Sequence, residues 1–83
     1  MKPRAVEFFE SEREVADESS SMFLEHPLDR LKYHIKHTGG RIVKSEFSVD
    51  GFAYVTWESD GVQYQAWSSW PGPDYSISWK LLS

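Results

Sequence analysis

From residue 41 to residue 82, apolar side chains alternate with polar ones, and two Asp-Gly pairs, Asp50-Gly51 and Asp60-Gly61, interrupt the alternation. A period of two sends successive side chains to opposite faces of a strand. Asp-Gly supplies the positive backbone φ that tight hairpins need. Together these features specify an antiparallel meander, with strands expected at 41–49, 52–59, 62–69 and 75–82. The last strand is reached through a longer link, "WPGPD". Strands joined by short connections lie antiparallel to their neighbours.

The first half of the chain reads differently. "HPLDRLKYHIKHTGG" carries Leu28, Leu31 and Ile35, with Leu24 before them, on one helical stripe. Pro27 suits a first helical position. Asp29 near the start and Lys36 and His37 near the end match the helix dipole, and Gly39-Gly40 supplies a stop. Upstream, "RAVEFFESEREVA" predicts a second helix over 3–17, with Ala5, Phe8, Phe9 and Ala16 on one face and Glu12 interrupting it. "DESSS", 17–21, reads as a linker. The fold expected is α+β: one or two N-terminal helical segments, then a four-stranded antiparallel meander with a helix packed on one face. An acidic arm, 1–21, precedes a helix-plus-meander domain, 22–83.

Strand register sorts the aromatic residues. A two-residue turn at Asp60-Gly61 sets Trp57 opposite Tyr64 and Val55 opposite Ala66. One face then carries Ala53, Val55, Trp57, Val62, Tyr64 and Ala66, joined by Tyr75, Ile77, Trp79 and Leu81 of the fourth strand. At the first hairpin a three-residue loop, with Gly51 in a bulge position, sets Phe47 opposite Ala53 and Val43 opposite Trp57; a two-residue turn would put Lys44 and Glu46 on the core face. The opposite face keeps Phe52, Tyr54 and Trp67, with Trp70 in the adjoining link. These rings exceed what a one-sided core uses. An aromatic surplus of this kind marks an interaction surface, unless the N-terminal residues Phe8, Phe9, Met22 and Phe23 fold over it.

With 83 residues and no cysteine, the chain must be held by packing, and its 13 aromatic side chains suit that task. No apolar run approaches the roughly 20 residues a bilayer-crossing helix takes. The basic start, Met1 to Arg4, is followed by "EFFESERE" where a secretory signal would be apolar, so a cytoplasmic location is expected. Charge is segregated: residues 1–29 sum to −5, 30–45 to +5 and 46–83 to −4. Such a pattern bears on partner choice more than on fold.

Chemistry is sparse. His34 and His37, three apart on a helix, could share a metal, but a third ligand is missing from their face, and no metal or other cofactor is expected. No serine lies in a glycine-rich elbow and no glycine loop cradles phosphate. The layout is similar, at fold level, to small ribonuclease toxins, which are strongly basic as this chain is not. The expectation is therefore a non-enzymatic protein-binding module of inhibitor, immunity or adaptor type. It would use Phe52, Tyr54, Trp67 and Trp70, with Phe8 and Phe9 anchoring the acidic segment. The partner is another protein, a second copy of the chain included, and not a membrane. The alternative is nucleic-acid binding through a basic belt, Arg30, Lys32, Lys36, Arg41 and Lys44, with the aromatic face as a stacking platform.

Overall fold

The computed structural model describes residues 2–16, 25–48, 52–69 and 75–82. Two helices, α1 (Arg4–Val15) and α2 (Pro27–His37), precede four strands, β1 (Arg41–Phe47), β2 (Phe52–Ser59), β3 (Val62–Ser69) and β4 (Ser78–Leu81). The strands form one antiparallel sheet in the order β1-β2-β3-β4, a meander with α2 packed against it. The expected "DESSS" linker, Met22 to Leu24, Asp50-Gly51 and the "WPGPD" link with Trp70 lie outside the described residues.

Helix α2 forms where its stripe and caps agree. Pro27 sits at its first turn and His26 caps it, accepting the Leu28 amide on Nδ1 at 3.2 Å. Leu28, Leu31 and Ile35 are buried on the sheet side. Gly39 ends the helix at φ +83°, a conformation that glycine adopts without strain. The β2–β3 turn likewise has Asp60 at φ 53° and Gly61 at φ 78°, both in the left-handed region, as the mirror-image turn of a two-residue hairpin requires.

The β2–β3 register pairs Trp57 with Tyr64 and Val55 with Ala66. In β4, Trp79 pairs with Ala66 and Leu81 with Tyr64. Phe47 pairs with Ala53, and the Ser48 amide donates to the Phe52 carbonyl at 2.7 Å. One pairing departs from expectation. A bulge between Ile42 and Lys44 places Ile42, not Val43, opposite Trp57. The extra residue brings the larger side chain onto the core, where Ile42 packs, and leaves Val43 44% exposed.

Helix α1 lies in the same layer as α2. Its Ala5, Val6 and Phe9 belong to one buried cluster with Leu28, Leu31, Ile35, Val55, Trp57 and Ala66. Phe9 stacks on Tyr75, ring centroids 5.8 Å apart. The expected apolar face is therefore rotated: Val6 is inside, while Phe8 is 47% exposed. Both helices thus cover one face of the sheet.

Candidate functional site

That one-sided cover positions the candidate site on the sheet's other face. Alternation along β2 and β3 sends Phe52, Tyr54, Thr56, Glu58, Gln63, Gln65, Trp67 and Ser69 away from the helices. Register adds Arg41, Lys44 and Glu46 from β1 and Ser78 and Lys80 from β4. None of these residues is buried, and no described helix or strand lies over them.

The face is ordered in cross-strand rows. Glu46, Tyr54, Trp67 and Ser78 form one row, and Lys44, Thr56, Gln65 and Lys80 the next. Directly opposed residues hold their Cβ atoms about 4.5–5.5 Å apart, so Tyr54 and Trp67, each partly buried, make a continuous aromatic surface at the middle of the sheet. Phe52, 40% exposed, extends it on β2. Around the rings stand groups that hydrogen-bond without carrying charge (Thr56, Gln63 and Gln65), and then a rim of charges. Lys44 bridges to Glu46 at 3.1 Å and Arg41 to Glu58 at 3.6 Å.

No protein-family model, curated protein or solved structure matches this chain.

The residues expected to bind a protein are thus distributed unequally. Phe52, Tyr54 and Trp67 share the open face. Phe8 lies in the helical layer across the sheet from them, under the Arg4 guanidinium at 6.0 Å and beside the His34 ring. Phe9 requires a correction: it is fully buried and is core, not an anchor for a partner. The expected apolar face of α1 held both Phe8 and Phe9; the observed rotation turns Phe9 inward and leaves Phe8 47% exposed.

The basic belt is divided as well. Arg30 turns towards α1, where its Nε and Nη2 donate to the two Glu12 carboxylate oxygens at 2.8 and 2.6 Å. Lys32 borders a small hollow with His26, Glu46 and Phe47. Lys36 is exposed near the end of α2. Arg41 and Lys44 are on the sheet face, each beside a carboxylate. Three of the five cations therefore already face carboxylates, and the five do not form one patch.

The Glu12 cluster is a polar feature that the sequence expectations did not include. His34 Nε2 lies 3.1 Å from Glu12 Oε2, so one carboxylate joins two α2 side chains. The Arg30 guanidinium, first through its hydrogen bonds, holds the Glu12 carboxyl below the usual range. Burial pushes the His34 imidazole down, although Glu12 opposes the shift. Tyr33 completes the group: Arg30 lies over its ring at 4.5 Å and His37 stacks on it at 4.0 Å. In the sequence Glu12 stood out only as an interruption of the α1 apolar stripe, with nothing to name its partners. The cluster ties the helices together, and among the described residues no group of three or more His, Asp or Glu side chains is placed to hold a metal ion.

Proposed function

We propose that the chain is a small protein-binding module that lays the open face of its sheet on a partner protein, in the manner of an inhibitor, immunity protein or adaptor. The observation that carries this reading is the Tyr54–Trp67 pair, central on the sheet face opposite the described helices. Large rings with a polar tip are the residues that dominate binding energy at interface centres. The pairing of Arg30, Arg41 and Lys44 with carboxylates supports protein over nucleic acid, because phosphate contact needs clustered cations.

The test is capture of partners by the full-length chain, with and without nuclease, repeated with Trp67→Ala and with Lys32→Glu/Lys36→Glu. A stoichiometric protein that survives nuclease, is lost with Trp67→Ala and persists with the lysine variant supports the reading. Recovery of nucleic acid that depends on the two lysines overturns it.

A further inference from the structure

The open face has a charge pattern that is complementary to itself. Two copies of a sheet stacked face to face must be related by a two-fold axis lying in the interface, and the strands of stacked sheets align within about 30°. Each position of the axis makes a different set of opposed residues. An axis along the strands, between β2 and β3, sets Tyr54 over Trp67 of the copy. It also sets Lys44 over Lys80, a like-charge contact made twice. An axis across the strands and through the Tyr54–Trp67 row puts Glu46 over Glu46. One through the next row puts Lys44 over Lys44 and Lys80 over Lys80.

An axis across the strands and midway between the two rows meets none of these conflicts. Lys44 then opposes Glu46 of the copy, twice. Tyr54 opposes Thr56, Trp67 opposes Gln65, and Phe52 falls over the Arg41–Glu58 pair. Lys44 and Glu46 are already 3.1 Å apart within one chain, with side chains 64% and 54% exposed. Stacking would close them into a four-membered ring of alternating charge. A network of this sort is worth more than an isolated surface pair.

Resting on the reading of this face as a protein-binding surface, we infer that its partner is a second copy of the chain, packed sheet to sheet about this axis. The face limits the strength of the dimer. Four strands at about 4.8 Å spacing and up to eight residues at about 3.3 Å give an area near 450–500 Å² per copy. The total, about 1,000 Å², is below the usual 1,200–2,000 Å² of stable complexes. The dimer is therefore weak and depends on concentration.

Sedimentation equilibrium of the full-length chain, from micromolar to millimolar concentration, tests this. The average mass should rise from 9.7 kDa towards twice that value. Lys44→Glu and Glu46→Lys should each weaken association by about tenfold to a hundredfold, since each turns two attractions into two repulsions. An equimolar mixture of the two variants should associate again, because every opposed pair is then Lys with Glu. The double variant Lys44→Glu/Glu46→Lys should dimerise alone. Circular dichroism confirms that these exposed substitutions leave the fold intact. Monomer at every concentration overturns the inference, as does a dimer indifferent to both single variants, or an increase in mass that nuclease abolishes. A monomeric chain that still captures a protein through Trp67 also overturns it, while leaving the wider reading of the face in place.

Discussion

Glu12 shows how much one side chain can settle. It sits among apolar positions of α1, yet its carboxylate reaches both Arg30 and His34 of α2. Glu12→Gln keeps the shape but removes the charge that Arg30 and His34 face, and should cost about 1.5–3 kcal/mol in urea unfolding, the range for hydrogen bonds to charged groups. The pH dependence has a definite sign. Burial lowers the His34 pKa in the folded chain, so the unfolded chain takes up that proton more readily. Glu12 on α1 and Arg30, Tyr33 and His37 on α2 are the polar groups around it, with Phe8 against its ring. Stability should therefore fall as pH drops through and below the ordinary imidazole value of 6.5. Below the ordinary carboxyl value of 4.5 it should fall further, as Glu12, whose folded pKa is depressed, becomes protonated. His34→Gln should remove the first part of this decline and leave the second. At the alkaline end, burial pushes the Tyr75 phenol up to about 12. An absorbance titration should show a late phenolate contribution that Tyr75→Phe removes. The stability that Tyr75 contributes while protonated is full below pH 10 and is lost as pH rises towards 12.

At the scale of elements, α1 is part of the core. Phe9 is fully buried, in a cluster that spans both helices and the sheet. Phe9→Ala should cost about 3–5 kcal/mol, against an expected total of roughly 4–12 kcal/mol for a chain of this length. Phe8→Ala, one residue away and half exposed, should cost little, and thermal unfolding of the pair measures the difference. The sequence foretold most of the elements because each had two agreeing signals. For β2 and β3 these were the alternation and Asp60-Gly61, and both strands begin and end where expected. For α2 they were the Leu28–Leu31–Ile35 stripe and its flanking Pro27 and Gly39. Where one signal stood alone, detail was lost. The α1 stripe did not fix rotation, so Val6 replaced Phe8 inside. The β1 alternation was compatible with a straight strand, and only the fit of Ile42 against the core demands the bulge. The open face was legible from register, including its Tyr54–Trp67 pair. The Glu12–Arg30–His34 link was not, because periodicity within one helix says nothing of what a second helix brings opposite.

The whole molecule is a two-layer plate, 37 × 30 × 18 Å, with both helices on one side of the sheet. Such an arrangement makes the two faces of the same strands energetically unlike, and paired substitutions can read the difference. Trp57 on β2 is 1% exposed under α2 and stacks with Tyr64 at 5.4 Å. Trp67, on the adjacent strand, points the other way. Trp57→Ala empties the core and should cost about 3–5 kcal/mol. Trp67→Ala removes a partly buried ring on the face that no described helix overlies, and should cost well below that, about 1 kcal/mol. The ratio, taken from urea unfolding followed by circular dichroism, measures how far the second face is free in solution. If Trp67→Ala proves as costly as Trp57→Ala in dilute monomer, something within the chain covers that face, and no partner can use it. If the cost is small in dilute solution but grows with protein concentration in the wild-type comparison, the added stability is that of association, since anything that binds only the folded chain stabilises it by mass action. Folding and binding would then be separated by the plane of one sheet: the inner rings hold the chain together, and the outer rings are available to a partner.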